Sequence, residues 1–161
     1  MSVQADNRRE LEETVAKYAN ADLICYFAKT PKDLVEKQKE LWNPLLMWMK
    51  DTYDINLKIT VGIKHKDQSK ESIKKINKLL QTMEFDELNS LYLLTAITGS
   101  FVIALALLKE KINIDQAHHA AFVDELYQLD NWGDDKLARK RLECVKMDMF
   151  KALGFLTTAS E

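Results

Sequence analysis

Two prolines, four glycines and two cysteines in 161 residues leave this chain short of the residues that make turns and crosslinks. So few turn formers exclude a sandwich or barrel of many short strands, which needs a turn roughly every 8 to 12 residues. Cys25 and Cys144 stand far apart and form no C-x-x-C pair. They build neither a disulfide framework nor a thiolate metal site, and each is expected to be a buried free thiol. Gly62, Gly99, Gly133 and Gly154 are isolated, which excludes a phosphate-cradling loop and a dinucleotide fingerprint. No G-x-S-x-G elbow exists to present a nucleophile. Excess charge is lacking too. A formal net charge of -2 gives no bulk attraction to nucleic acid or to an anionic membrane.

The opening residues, MSVQADNRRELEETV, hold no apolar core of a secretory signal and carry acids early. No targeting segment is therefore expected, which suits a cytoplasmic bacterial protein or one of the mitochondrial matrix. Leu88 to Leu108 contains no charge and is about long enough to span a bilayer. Asn89, Ser90, Thr95, Thr98 and Ser100 interrupt it, and the run stands alone. A helix buried on nearly all sides explains it better than membrane insertion.

What is present is helical periodicity. Hydrophobic residues make up 47% and charged residues 30%, the balance of one globular domain spanning 1–161. Leu11, Val15 and Tyr18 mark a first helix over 7–19, and DLICYFA at 22–28 reads as a short apolar connection. Thr30-Pro31-Lys32-Asp33 places threonine at an N-cap, proline at N1 and an acid at N3, starting a helix that reaches Tyr53. Pro44 should kink or break it. INLKITVGI alternates and is rich in β-branched residues, so 55–63 reads as one strand without a visible partner. Helices follow from Ser69 to Met83 and through the central apolar run, the latter capped by Asp86, with Gly99 inside it marking a close helix crossing. Asn113 with Gln116 three residues on caps a helix to Asn131, Gly133 ends it, and Asp134 starts a last helix to about Leu156. The expected fold is all-α: a compact domain of about six helices around a buried central one, plus one short isolated strand.

The most informative segment is HHAAFVDELYQLDNWG, 118–133. At 3.6 residues per turn His118, Ala121, Phe122, Glu125, Gln128, Leu129 and Trp132 share one stripe. A carboxylate and an amide then lie among apolar residues, where an unpaired buried charge is costly. Either Glu125 and Gln128 find hydrogen-bonding partners inside the fold, or they belong to a surface that another molecule covers. Trp132 suits the second reading, since tryptophan often dominates binding energy at interfaces. Gln38, Trp42, Leu45, Leu46 and Met49 form another stripe, in which Trp42, like Trp48 beside it, reads as core. The lysines of KITVGIKHKDQSKESIKKINK read as a solvated face. An enzymatic alternative rests on Asp115-x-x-His118, whose spacing puts a carboxylate and an imidazole on one helix face, with Glu125 two turns on as a further metal ligand. A second acid-x-x-His pair is missing.

Three strings carry a family likeness. They are Tyr18-Ala-Asn-Ala-Asp22-Leu-Ile-Cys25-Tyr26, Gln38-x-x-x-Trp42-Asn43-Pro44-Leu45-Leu46-x-Trp48, and Asp124-Glu125-x-Tyr127-Gln128-x-x-x-Trp132-Gly133. In this order and spacing, and with Gly99-Ser100 before an apolar run, the chain resembles the F₁-ATPase assembly chaperones of mitochondria and α-proteobacteria that handle the α subunit. The likeness covers about 8–156. It implies a chaperone, not an enzyme, that needs no cofactor and shields the β-contacting surface of the free α subunit until the hexamer forms. It implies partner contacts by Asp22, Tyr26, Trp42, Asp124, Glu125, Gln128, Trp132 and Gly133, with Glu125 foremost. Ala21 and Phe27 depart from the family's usual threonine and arginine. The family's N-terminal β-rich domain has no counterpart here, so the chain corresponds to the helical C-terminal domain. A helical interaction domain with another client is a further alternative.

Overall fold

In chain order the elements are α1 (Ser2–Asn20), a 3-10 turn (Leu23–Cys25), β1 (Tyr26–Phe27), α2 (Lys32–Tyr53), β2 (Thr60–Val61), α3 (Lys70–Gln81), α4 (Phe85–Thr98), α5 (Phe101–Leu108), α6 (Ile114–Ala121), α7 (Val123–Trp132) and α8 (Lys136–Ser160). The structure, a computed structural model, describes residues 2–62, 64–133 and 135–160, with side chains over 7–62, 64–133 and 135–154. The fold is all-α, as the periodicity requires. Its centre is α5, whose residues 101–107 are all buried and which packs against α1, α2, α4 and α6. No helix among the described residues is long and apolar enough to cross a membrane.

Local chemistry sets most helix ends. Ser69 accepts from the Ser72 amide at 3.0 Å. Asn113 and Gln116 form a reciprocal capping box, both bonds 2.8 Å. At the start of α2 the cap is Pro31, not Thr30, because Pro31 is extended (ψ 163°) and its carbonyl accepts from Val35. The helix then runs through Pro44 without a break. Glu84 rather than Asp86 occupies the cap of α4, and Asp86 lies in the first turn, where an acid still favours the helix dipole. Arg8 on α1 reaches across to the end of α3, donating to the carbonyls of Leu80 and Met83 at 2.9 and 2.6 Å. A cation there satisfies carbonyls that the helix leaves open.

The central apolar run is two helices, not one. Gly99 adopts φ 75° and ends α4, and Ser100 then caps α5 by accepting from the Ile103 amide at 3.0 Å. The expected close crossing at Gly99 is absent, since a Cβ there would meet nothing within 4 Å. The glycine serves the left-handed backbone alone. Gly99→Ala is therefore expected to cost about 1 kcal/mol in denaturant unfolding, without a steric penalty. A neutral or stabilising result would contradict that reading.

The strand expected over 55–63 shrinks to Thr60–Val61, and it is not isolated: it pairs in parallel with Tyr26–Phe27. Ile63 lies outside the described residues. Side chains satisfy the rest of the segment. The buried Gln68 amide accepts from the Lys58 N–H at 2.7 Å and donates to the Lys58 carbonyl at 3.0 Å, imitating a neighbouring strand. Ser72 donates to the Asn56 carbonyl at 2.9 Å. The helix expected over 113–131 is also divided. Phe122, with φ -118° and ψ 26°, separates α6 from α7. Asp134, the expected start of the last helix, lies outside the described residues. Cys25 is buried, and burial pushes its thiol far up, whereas Cys144 is exposed, contrary to expectation.

Candidate functional site

The break at Phe122 rotates the stripe read across 118–132. Val123 and Tyr127 are the buried face of α7, while Gln128 and Trp132 point away from the core. Trp132 is 80% exposed, and Leu137 just beyond the turn is 81% exposed. Gly133 between them takes φ 113°, a backbone that L side chains rarely adopt. Glu125 is not sealed inside the fold. Its carboxylate pairs with Arg141 of α8, both side chains about half exposed. Asp130 meets Arg139 at 3.3 Å, and Asp115 of α6 pairs with Lys146. Ion pairs thus lace α6 and α7 to α8. The Gln128 side chain makes no hydrogen bond among the described residues.

Alongside these charges α8 shows an apolar row. Leu137, Cys144, Met147 and Phe150 fall on its outer side, opposite the buried Leu142, Met149 and Ala152. Among the described residues, four of the seven exposed large hydrophobic side chains, namely Trp132, Leu137, Met147 and Phe150, belong to the end of α7 or to α8. Clustering of this kind, with charged residues between, marks a surface prepared for a partner. Sequence reading missed the α8 row and its arginines. The signal was there: residues 137, 144, 147 and 150 are apolar but out of phase with the core positions of their own helix.

The remaining candidate residues form joints within the fold. Asp22 is fully buried and accepts from the Ile24 amide (3.2 Å), the Ser100 hydroxyl (2.6 Å) and the Val102 amide (3.0 Å). It closes the α1–β1 connection and caps α5 at once. Burial pushes its carboxyl up to about 6, against the pull of these donors. Trp42 is 1% exposed, donates through Nε1 to the Ala120 carbonyl at 2.9 Å and meets the Phe27 ring edge-on at 5.2 Å. Both residues are enclosed within this chain, unlike Glu125, Gln128 and Trp132. Tyr26 is part-exposed and shares its hydroxyl with His65 Nδ1 at 2.9 Å. Asp124 accepts from the buried Gln38 amide at 2.7 Å, and Gln38 in turn accepts from the Ala28 N–H at 2.7 Å. One side chain of the second string therefore ties the third string to Ala28, two residues beyond the end of the first. Tyr127 reaches Asp33 at 2.7 Å, a hydrogen bond that raises the phenol's pKa.

The metal alternative loses its ligands. His118 donates Nε2–H to the Leu142 carbonyl at 2.9 Å, and burial keeps its ring toward the neutral form. Asp115 is engaged by Lys146, which lowers its carboxyl further, and Glu125 by Arg141. Among the described residues no three His, Cys, Asp or Glu side chains converge.

Residues 1–50 match the family model described as ATP12 chaperone protein. The fold is similar to that of Atp12 from Paracoccus denitrificans, with a TM-score of 0.90 and 26% identity over 97% of this chain and 67% of that one. A solved aspartate-to-lysine mutant of the same bacterium's Atp12p agrees, at a TM-score of 0.90 and 25% identity. A candidate chaperone from Agrobacterium tumefaciens is similar at a TM-score of 0.88 and 30% identity, over 97% of this chain and 59% of that one. The chain thus spans about two thirds of the Paracoccus protein and less of the Agrobacterium one. The likeness is thus to the ATP12 chaperone model over the first 50 residues and to Atp12 structures over nearly the whole chain.

Proposed function

We propose that this chain is an ATP synthase assembly chaperone that binds the free F₁ α subunit through the outer surface of α7 and α8 and masks the face that later contacts β; its likeness to Atp12 supports the reading. The observation that carries the reading is the exposed row of Trp132, Leu137, Met147 and Phe150 beside the Glu125–Arg141 pair. A subunit destined for a ring exposes apolar surface while alone and aggregates through it. Binding that state stabilises it by mass action, about 2.7 kcal/mol at a hundredfold excess over Kd. Release when β arrives requires moderate affinity, and an interface of apolar rows broken by charges suits that requirement. No bond in the client is made or broken.

Charge reversal separates the roles of Glu125. The Glu125–Arg141 pair is exposed, so it contributes only about 0.2–1 kcal/mol to the fold. Glu125→Lys is expected to leave helicity and cooperative unfolding nearly unchanged. In light scattering of diluted α subunit it should lower protection at least tenfold. The swap Glu125→Lys/Arg141→Glu restores the pair but not the native charge pattern, and should not restore protection. If the swap does restore it, Glu125 serves the fold rather than the client. Trp132→Ala is expected to weaken α-subunit binding by about 30-fold, the effect of losing an interface anchor worth roughly 2 kcal/mol.

A further inference from the structure

The segment 56–62 is satisfied on one side only. The Asn56 carbonyl accepts from Ser72, Lys58 exchanges both backbone bonds with the Gln68 amide, Thr60 lies opposite Tyr26, and the Gly62 N–H donates to the Phe27 carbonyl at 2.9 Å. Backbone groups of successive residues in an extended chain point to opposite sides. Those of Ile59 and Val61 therefore face away from β1, and among the described residues nothing on that side bonds to them. Their side chains share one face of the sheet and are 50% and 60% exposed. β2 ends the sheet in an open edge.

A protected edge carries a charge, a proline or a bulge where a foreign strand would pair. Here the two residues with open backbone groups are β-branched and apolar, and both side chains lie in solvent. A two-stranded sheet is marginal by itself, and a further strand adds hydrogen bonds to it. The pattern of this edge is also self-complementary. A twofold axis through Thr60, with strands antiparallel, sets Ile59 opposite the partner's Val61 and Val61 opposite the partner's Ile59. Opposed residues in an antiparallel pair exchange both N–H···O=C bonds at alternate positions. The groups this requires are the ones left open at Ile59 and Val61, so the axis creates four hydrogen bonds and strands none. Lys58 then stands opposite the partner's Gly62, and no like charges within 58–62 oppose each other directly.

We propose that two copies of this chain associate through their β2 edges, forming one four-stranded sheet in the order β1–β2–β2–β1. A second copy is favoured over an extended segment of another protein because Ile59-Thr60-Val61 reads the same in either direction, a β-branched apolar residue on each side of a threonine. The strand thus meets its own pattern when reversed, and the open hydrogen-bonding groups fall in register without help from a foreign sequence. Few residues per copy make backbone contact, which puts the interface in the class below about 1,200 Å². The dimer is accordingly weak, half-formed at roughly 100 μM. The edge lies on elements outside the α7–α8 face, and the inference stands or falls separately from the client reading.

Sedimentation equilibrium of the full chain, from micromolar to about 1 mM, should show a monomer–dimer equilibrium. Amide exchange at Ile59 and Val61 should slow as concentration rises, while that of Gly62, already bonded within the chain, should not change. Val61→Pro removes only an outward N–H and keeps Thr60 extended, so helicity by circular dichroism should persist while dimer affinity falls at least tenfold. Ile59→Lys/Val61→Lys sets lysine opposite lysine and should stay monomeric. Ile59→Glu/Val61→Lys carries no more apolar surface, yet it sets an acid opposite each lysine and should recover the dimer to within severalfold of the parent. The heptapeptide NLKITVG, copied from 56–62, should dissociate the parent dimer, and a scrambled version should not. The proposal is overturned by a chain monomeric at about 1 mM, by a dimer that Val61→Pro leaves intact, or by the two charged double variants behaving alike. Equal action of the scrambled peptide would also overturn it, since the edge would then accept any extended segment.

Discussion

Asp22→Ala is expected to cost about 3–5 kcal/mol of unfolding free energy at pH 7, the largest loss of any single polar change in this fold. The carboxylate is fully buried and three donors point at it, from Ile24, Ser100 and Val102. Truncation leaves all three facing apolar surroundings, and each unsatisfied group costs about 1–3 kcal/mol before relaxation. The pH dependence carries a second signature. Burial raises the native pKa from 3.8 to about 6, so the folded state holds this proton more tightly than the unfolded chain. The group's contribution is then greatest below pH 4 and declines as pH climbs toward 6, by roughly 3 kcal/mol in all. Above that range it is constant. The stability gap between the parent and Asp22→Ala should accordingly be widest at pH 4 and narrow by pH 7. Denaturant titrations at pH 4, 5, 6 and 7 measure it. A gap that widens with pH, or a loss below about 1 kcal/mol, would contradict this assignment.

The second large effect is at Trp42. Trp42→Ala is expected to cost about 3–5 kcal/mol, from a cavity between α2, β1 and α6 and from the stranded Ala120 carbonyl. Trp42→Phe keeps most of the apolar volume but also strands that carbonyl, so about 1–2 kcal/mol is expected. Any loss of client protection in these variants should follow their melting temperatures and vanish on cooling. Trp132→Ala should behave in the opposite way, with an unchanged melting temperature and weakened protection at every temperature. A Trp42→Ala variant that unfolds like the parent yet fails to bind would return Trp42 to the contact surface.

These contrasts show why some of the molecule could be read from residues alone. Helix starts at Ser69 and Asn113 were legible because the cap is local: a side-chain oxygen and an amide two or three residues away decide it. The α2 stripe of Gln38, Trp42, Leu45 and Met49 was legible for the same reason, as periodicity over a single helix. The break at Phe122 was not, because no glycine or proline marks it. The contacts of Phe122 with His118, ring centroids 5.2 Å apart and amide to carbonyl at 3.0 Å, are those of an ordinary helical turn and leave no mark in the residue pattern. The β1–β2 pair was hidden by distance, since two residues of an apolar connection meet two residues more than thirty positions later.

The site was half legible. Glu125, Gln128 and Trp132 stood out because polar groups and an indole shared a stripe with apolar ones. Their setting came from the break in the helix, which turns Gln128 and Trp132 outward, and from Arg141, sixteen residues beyond Glu125. Asp22 illustrates the converse. A family string pointed to it, yet its position depends on Ser100 and Val102, about eighty residues away, and a residue that holds a fold together reads like one that touches a partner. Only burial separates the two.

Hydrogen exchange on mixing with purified, free F₁ α subunit tests the central proposal most directly. Amides of 123–132 and 136–154 should slow on binding, together with an interface on the α subunit that β addition then uncovers. Protection confined to other helices, or no change at equimolar micromolar concentrations, would contradict the assignment of α7 and α8 as the client-masking surface.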